Sequence, residues 1–203
     1  MKTYEISRVQ GAPDWQNVPC VAIDNHLWSD VYSISASAQV AWDENNLYVR
    51  LQAREQDMLR RYCVDFDPVY LDSCLEFFFC PTEGDDHFFN FEMNPNGALL
   101  VGFGKDRHLR TRPEPAQWEN LRKTLLTAPF VTADGWGITL QIPVSFVHTF
   151  VPEFRLYPGK VLRCNFFKCG DETEMPHFIA WNPIEIESPD FHRPDFFGQM
   201  LLK

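Results

Sequence analysis

The sequence predicts an all-β protein, an antiparallel β-sandwich of the immunoglobulin-like or jelly-roll type with little helix. Short apolar runs recur between turn signals along the 203 residues, and fifteen prolines interrupt the chain too often for long helices. The hydrophobic content of 45% is enough to fill a sizeable core. We therefore expect one folded domain that covers residues 1–203.

The individual strands are predicted from alternation and turn residues. The clearest hairpin joins residues 39–42 and 47–54 across the turn 43–46, and a second lies within residues 87–104 around Pro95-Asn96-Gly97. Residues 126–132 and 136–143 are expected to pair across Asp134-Gly135. Further strands are predicted at 74–81, at 160–169 and at the C-terminus. Little helix is expected, namely a short piece after Pro143 and one turn in a long loop over 104–125.

The charge balance argues against two classes of partner. The chain has 18 basic and 28 acidic residues and a formal net charge of −10 at pH 7. Such a charge repels phosphate backbones and anionic lipids, so we expect no nucleic-acid partner and no membrane surface. The first eight residues contain no apolar stretch typical of a secretory signal. A cytoplasmic location is expected if Met1 is the native start, and an extracellular or periplasmic one if the start is trimmed.

Motifs that would identify an enzyme or a cofactor are not found. The chain has no G-x-S-x-G, no glycine-rich phosphate loop and no H-E-x-x-H. Its six cysteines form no C-x-x-C pair and are expected to be reduced and mostly buried. His192 is interpreted as a hydrogen-bonded loop anchor rather than a metal ligand. The sequence thus predicts no cofactor and no metal site.

Polar side chains recur on one face of several predicted strands, because side chains alternate between the two faces of a strand. Asn90 and Glu92 share a face, as do Arg50 and Gln52, and Glu76 lies on the same face of its strand as Cys74 and Phe78. If these strands are neighbours, one sheet carries a tract of amides, carboxylates and guanidinium groups. Such a tract is either a solvated face with a few ion pairs or a concave platform that matches the vicinal hydroxyls of a sugar.

Sugar binding also needs flat apolar surfaces, on which the C–H bonds of a pyranose can stack. Tyr70 precedes a predicted strand, and Trp181 lies between a strand and a proline-containing turn. Both are candidate stacking rings, although each could equally belong to the core. Trp28 lies in the N-terminal segment and is interpreted as part of a lid that packs against the sandwich.

Glu76 and Glu92 allow a different function. If they face each other across neighbouring strands, they could form the carboxylate pair of a glycosidase. Two carboxylates near Arg50 could also be a structural ion network. The sequence alone leaves both possibilities open.

The motifs together resemble those of the family 9 carbohydrate-binding modules. The resemblance rests on YLDSCLEFFFCP, FFNFEMNPNGALL, WGITLQIP, LRCNFFKCGD, AWNP and FHRPDFFGQMLL, in this order from about residue 15 to the C-terminus. It implies a β-sandwich that holds a sugar end between two tryptophans, with carboxylate and amide side chains on the hydroxyls. Tyr70 and Trp181 match the two tryptophan positions, the first with a Tyr-for-Trp change, and Glu76 matches the acidic position. Some relatives bind calcium, but no matching ligand string is present here.

The leading hypothesis is therefore a non-catalytic carbohydrate-binding protein that works in association with a glycan-degrading enzyme. Tyr70 and Trp181 would face each other across a gap of roughly 7–8 Å, one pyranose thick. Hydrogen bonds to the sugar, or to the groups that hold it, would come from Glu76, Asn90, Glu92 and Arg50. The alternatives are a glycoside hydrolase that uses Glu76 and Glu92, and a protein-interaction module that has lost its sugar site.

Overall fold

The computed structural model describes all residues from Met1 to Lys203 and contains fourteen strands and two short helices. The helices are α1 (Pro115–Thr124) and α2 (Val144–Val147). In chain order the strands are β1 (Thr3–Arg8), β2 (Cys20–Ile23), β3 (Asn25–Leu27), β4 (Ser35–Trp42), β5 (Asn46–Arg54), β6 (Cys74–Phe79), β7 (Phe88–Met93), β8 (Leu99–Gly104), β9 (Arg110–Thr111), β10 (Leu126–Thr132), β11 (Gly135–Pro143), β12 (Val161–Gly170), β13 (His177–Ala180) and β14 (Gly198–Leu202).

The strands form two layers, which β1 connects. The back sheet runs β10-β11-β5-β4 with β2 beside β4, and the front sheet runs β14-β12-β6-β7-β8-β9 with β13 and β3 on a branch from β12. All pairings are antiparallel except those of β1, which lies parallel to β14 through residues 3–6 and parallel to β4 through residues 7–8. The predicted β-sandwich is confirmed, and β1 is the exception to its antiparallel order.

The core between the sheets is filled by the inward side chains of both layers. Phe77, Phe79, Phe89 and Phe91 of the front sheet are fully buried, and their rings stack with centroids 5.3–6.4 Å apart. Leu47, Val49, Leu51 and Ala53 of β5 meet them from the back sheet, as the alternation in the sequence predicts.

The outer face of the front sheet is covered as well. Phe78, Phe88 and Phe167 point away from the core into a second apolar cluster, which the C-terminal loop covers with Phe191 and Phe197. Trp28 of the N-terminal segment packs against the same cluster. Since the cover is incomplete, the polar side chains on this face lie at the bottom of a cavity rather than on an open surface.

The segment 104–125 is more regular than the sequence predicts. It contains β9 and the ten-residue helix α1, which begins at Pro115, a residue favoured at the first helical position. Trp118 and Arg122 of this helix both donate hydrogen bonds to Asp65 Oδ2, over 3.2 and 2.9 Å. These contacts anchor the helix to the segment before β6, and Trp118 acts as one of the anchors. The helix is too short, as is α2, to reach across a lipid bilayer.

Candidate functional site

A cavity of about 360 Å³ opens on the outer face of the front sheet. Its floor contains Glu76 of β6, Glu92 of β7 and Cys169 of β12, and Tyr70 stands beside it within a short helical turn at Val69–Leu71. The remaining lining comes from Trp28, Arg107, His108, Arg110, Asp171, Phe178, Pro189, Asp190, Phe191 and His192. The volume lies within the range of about 300–1,000 Å³ typical of small-molecule sites.

Glu92 is held by several neighbours at the floor of this cavity. Its Oε1 accepts hydrogen bonds from Asn90 Nδ2 at 2.9 Å and from Arg110 Nη1 at 3.3 Å. His192 Nε2 lies 3.6 Å from the same oxygen. Asn90 lies two residues before Glu92 on the same face of β7, so it holds the carboxylate from behind and does not line the cavity. These contacts fix the orientation of the Glu92 carboxyl group and place its Oε1 as an acceptor.

Glu76 is in a different electrostatic state from Glu92. It is 2% exposed, its Oε1 accepts a weak hydrogen bond from the thiol of Cys169 at 3.1 Å, and its Oε2 has no partner. Burial and the charge of Glu92 raise the pKa of Glu76 well above its usual value. A protonated Glu76 can donate a hydrogen bond to a ligand hydroxyl, whereas Glu92 Oε1 already accepts from Asn90 and Arg110 and is placed as an acceptor.

Two more buried polar atoms near the floor have no partner in the protein, Asn90 Oδ1 and His192 Nδ1. Arg110 Nη1 lies 2.8 Å from His192 Nε2, and a guanidinium can only donate, so the ring proton of a neutral His192 is on Nδ1. Leaving a buried donor or acceptor unpaired costs about 1–3 kcal/mol. Glu76 and His192 both line the cavity, so a polar ligand or water could satisfy Glu76 Oε2 and add to the 3.5 Å contact of His192 Nδ1 with Asp190 Oδ1. Asn90 Oδ1 lies outside the lining.

The apolar walls are aromatic. Tyr70 is 39% exposed, and its ring stands free at the mouth of the cavity. Trp28 is half-buried, with its ring centroid 5.9 Å from Phe178 and 5.8 Å from Phe191, and its Nε1 donates to the carbonyl of Ile186 at 2.8 Å. These contacts hold the indole in place while part of it remains accessible.

Asp171 adds a third acidic group to the lining. Burial and the nearby charge of Glu92 raise the pKa of Asp171 to about 6. Its backbone N–H donates to the carbonyl of Tyr70 at 3.2 Å, which ties the loop after β12 to the turn that carries Tyr70. The lining thus contains four carboxyl groups, of Glu76, Glu92, Asp171 and Asp190, and only two arginines, Arg107 and Arg110.

A larger hollow of about 500 Å³ lies elsewhere, beside Tyr32, Glu55 and Glu174. Two of its charged side chains, Arg54 and Asp134, pair with each other at 2.7 Å, and Glu55 pairs with Lys168 beneath the hollow at 3.1 Å. None of its lining residues has a buried polar atom without a partner. The smaller cavity is therefore the better candidate for a ligand site.

The structure brings together four of the six residues named from the sequence. Tyr70, Glu76 and Glu92 line one cavity, and Asn90 supports Glu92 from behind. Glu76 and Glu92 are direct partners in the register of β6 and β7.

Trp181 does not belong to this cavity, contrary to the expectation that it faces Tyr70. It is 3% exposed, and its ring packs edge-on against Phe166 at 5.5 Å and Tyr4 at 6.5 Å between the two sheets. Trp181 follows β13 and has the same parity as Ile179, which points into the core, whereas Phe178 has the opposite parity and reaches the cavity. The expected pair of rings, Tyr70 and Trp181, does not form.

Arg50 is also misplaced by the sequence prediction. It lies on β5 in the back sheet, paired with Thr139 and Gln39, and its guanidinium covers the ring of Phe130 at 4.8 Å. The predicted polar tract is therefore divided, since Arg50 lies on the outer face of one sheet and Glu76 and Glu92 on the outer face of the other. Arg110, from β9, takes the role of the cation beside Glu92.

Several site residues have no clear signal in the sequence. Arg110 lies in the segment 104–125, where no strand is predicted, and His192 was interpreted as a loop anchor although it also faces the cavity. Trp28 was interpreted as part of a lid, which is correct for its packing but overlooks its accessible edge.

Comparisons with known proteins agree with the fold. The sequence model described as "Carbohydrate-binding family 9" matches residues 8–202. Among solved structures, a candidate carbohydrate-binding protein from Bacteroides uniformis ATCC 8492 is similar over 100% of this chain and 99% of its own, with 26% identity and a TM-score of 0.86. A family 9 module from Caldicellulosiruptor kristjanssonii has 15% identity and a TM-score of 0.70, both in complex with cellotriose (over 100% of this chain and 94% of its own) and with glucose (100% and 96%). No curated protein matches the sequence.

Proposed function

The chain belongs to carbohydrate-binding family 9, and we propose that it holds a mono- or oligosaccharide, without catalysis, in the cavity above Glu76 and Glu92. The observation that supports this most is the set of unpaired polar atoms at the bottom of a cavity with an aromatic rim. A pyranose presents alternating hydroxyl donors and acceptors at its edge and C–H groups on its faces. Glu76, whose raised pKa favours the protonated form, can donate, Glu92 can accept, and Tyr70 offers a free ring face.

The relatives support the same ligand class. The structures from Caldicellulosiruptor kristjanssonii contain cellotriose and glucose, and they share the fold over the whole of this chain. Here Tyr70 and the accessible part of Trp28 supply most of the exposed aromatic surface, with Phe178 and the buried Phe191 behind them, because Trp181 is in the core. With so few contacts to a strongly hydrated ligand, we expect a Kd on the order of 10 µM to 1 mM.

Isothermal titration with a panel of neutral sugars tests the proposal. Glucose, cellotriose and a set of epimers and longer oligosaccharides would each be titrated at millimolar concentration. At least one of them should bind with a single site. The absence of heat from every sugar, confirmed by unchanged tryptophan fluorescence and NMR line widths, would contradict the assignment.

A matched set of variants locates the site. Tyr70→Ala should weaken sugar binding about 2–10-fold, as the loss of one aromatic contact of about 0.5–1.5 kcal/mol implies, and Tyr70→Phe should restore it. Tyr157→Ala is the control, because Tyr157 is also an exposed tyrosine but lies outside the cavity. Equal effects of the two alanine variants would place the sugar elsewhere.

A glycosidase is the second candidate, and one observation favours it. Glu76 and Glu92 line one cavity, and the raised pKa of Glu76 suits the acid of a carboxylate pair, while Glu92 beside Arg110 is placed to be its partner. Against it, Glu92 already accepts bonds from Asn90 and Arg110, so its charge is engaged by the protein. Turnover of aryl glycosides that disappears in Glu76→Gln would establish the enzyme. If the substrate is unchanged after prolonged incubation, binding without catalysis remains as the function.

We also propose that the protein acts beside a glycan-degrading enzyme, since a binding protein without catalysis changes a glycan only through a partner. The cavity with its buried polar floor favours a small ligand over a docked protein chain. The test is the rate at which a glycosidase degrades its polysaccharide with the wild-type protein and with Tyr70→Ala. A rate that is the same with both proteins would contradict this role.

A further inference from the structure

Two cysteines that the sugar-binding proposal does not use meet Glu76 at the floor of the cavity. Cys74 of β6 and Cys169 of β12 are direct partners in the register of their strands. One ligand atom each from Cys74, Glu76 and Cys169 lies within 4.8 Å of the other two, and all three residues are buried. Cys169 Sγ is 3.1 Å from Glu76 Oε1.

We propose that Cys74, Glu76 and Cys169 form a binding site for a single Zn²⁺ or a cation of similar softness. Zinc prefers thiolate and carboxylate ligands in a compact tetrahedral arrangement, and three protein ligands leave one position for water or a ligand. Strand pairing brings the two sulfur atoms together from positions 95 residues apart in the sequence. A hard cation such as Mg²⁺ would not select this donor set.

The unpartnered oxygen of Glu76 is an independent observation that points to a ligand. Glu76 is 2% exposed, and its Oε2 has no hydrogen-bond partner, whereas Oε1 of the neighbouring Glu92 accepts from Asn90 and Arg110. A carboxyl oxygen without a partner at this depth is costly, and coordination of a cation would satisfy it. Cys74, on the same face of the same strand, presents its sulfur to the same point.

The cavity gives the site an entry path and its fourth position. Glu76 and Cys169 both line the cavity, whereas Cys74 lies fully buried behind them. A cation can therefore enter from solvent and be held from below by the deeper sulfur. Its open position would face the space in which we place the sugar, and Glu76 belongs to both proposed sites. Metal uptake is therefore measured with Zn²⁺ alone, in the absence of sugar.

The surrounding charges reduce the charge of the loaded site only in part. Two thiolates and one carboxylate exceed the charge of Zn²⁺ by one negative unit. The ammonium of Lys168 acts on Cys74 and the guanidinium of Arg110 acts on Glu76. Both cations already have carboxylate partners, Lys168 Nζ with Glu55 Oε2 at 3.1 Å and Arg110 Nη1 with Glu92 Oε1 at 3.3 Å, so the loaded site would keep part of its negative charge.

Zinc binding would displace protons from these ligands. Without metal, the thiol of Cys169 donates to Glu76, so a proton occupies the place of the cation. Coordination requires both sulfur atoms as thiolates and Glu76 as carboxylate, and the protons leave to solvent. Titrations in buffers of different ionisation enthalpy should thus show net proton release.

The experiment uses the full chain under reducing conditions, with Cys20→Ser and Cys63→Ser introduced to remove the two exposed thiols. Zn²⁺ alone is titrated by calorimetry. We expect one equivalent to bind and Cys169→Ser to weaken the affinity more than about 100-fold, beyond the 10–100-fold typical of losing an outer-shell partner. Cys164→Ser is the control, since Cys164 is a buried cysteine of the same strand outside the cluster.

Co²⁺ provides a direct readout of the ligands. Thiolate-to-cobalt charge transfer should appear in the near ultraviolet on addition of Co²⁺ and be absent in Cys74→Ser. If a cysteine variant fails to fold, Glu76→Gln keeps the volume and both thiols, and we expect it to weaken Zn²⁺ binding at least about 10-fold. The proposal is overturned if the reduced protein takes up no Zn²⁺, or if Cys169→Ser and Glu76→Gln both bind it like the parent. Neither result depends on whether a sugar binds.

Discussion

Glu76 and Glu92 face each other across β6 and β7, yet only Glu92 has a cationic partner. Arg110 Nη1 is 3.3 Å from Glu92 Oε1, while the raised pKa of Glu76, caused by burial and the charge of Glu92, keeps it protonated. One arginine for two buried carboxyl groups thus creates a donor and an acceptor side by side. This asymmetry is the chemical basis for recognising hydroxyl groups at this floor.

The first prediction concerns the cation. Arg110→Gln leaves the buried Glu92 without its charge partner, and breaking a buried ion pair in this way should lower the free energy of unfolding by about 3 kcal/mol. Chemical denaturation measures the change. Arg107→Gln is the control, because Arg107 pairs with Asp190 at 3.3 Å but is 44% exposed, and a loss below about 1 kcal/mol is expected. Equal losses in the two variants would show that the buried Arg110–Glu92 pair contributes no more to the free energy of unfolding than the exposed Arg107–Asp190 pair.

The second prediction separates two tryptophans. Trp181→Ala should lower the free energy of unfolding by about 3–5 kcal/mol, because it empties a packed site in the core, and the folded protein should keep its sugar affinity. Trp28→Ala should weaken sugar binding about 2–10-fold. Denaturation and sugar titration of both variants at a temperature where they are folded measure the contrast. A loss of affinity in Trp181→Ala alone would reverse our assignment.

The sequence predicts the sandwich and the floor of the site well, because both depend on alternation within a strand. Phe77, Glu76, Phe91 and Glu92 lie on the faces that their positions indicate. Which sheet a strand joins is not a local property, and for this reason Arg50 was placed beside Glu76 although it lies in the back sheet. Trp181 shows a related limit, since a flat ring near a turn suits a ligand and a core equally well.

The walls of the cavity were harder to predict, since they come from segments without a repeating pattern. Trp28 has a positive φ of 53° in an irregular segment, and His192 lies in the loop before β14. Arg110 belongs to a two-residue strand, too short to show alternation. Such residues are brought together by long-range packing, which single positions in the sequence do not reveal.

The third prediction concerns the space behind Glu92. A Cβ added at Gly102 would lie 2.9 Å from Asn90 Oδ1 and 3.4 Å from Arg110 Cδ. Gly102→Ala should displace Asn90 from Glu92, lower the free energy of unfolding by about 1–3 kcal/mol and weaken sugar binding. Asn90→Ala in the same chain removes the clash, so the two changes should be less than additive in denaturation experiments. Strict additivity would show that the two residues do not compete for this space.

The fourth prediction concerns pH, and it rests on the buried pair of Lys168 and His177. Lys168 Nζ is 2.7 Å from His177 Nε2, Glu55 Oε1 is 3.8 Å from the same nitrogen, and His26 is the other charged group that acts on it. Since Lys168 donates to Nε2, the ring proton is on Nδ1, which donates to the carbonyl of Met175 at 2.7 Å. Burial and the charge of Lys168 lower the pKa of His177 from 6.5 to about 4.

A histidine with a lowered pKa binds fewer protons in the folded chain than in the unfolded chain between these two pH values. Its contribution to stability is therefore complete above about pH 6.5 and is lost as the pH falls towards 4, by an amount on the order of 3 kcal/mol. His177→Gln keeps an oxygen that can accept from Lys168 but does not titrate, so the difference in unfolding free energy between wild type and variant should shrink over this window. His108→Gln is the control, because His108 is exposed and should leave the pH dependence unchanged. A constant difference between wild type and His177→Gln from pH 7 to pH 4.5 would mean that His177 does not resist protonation in the folded chain.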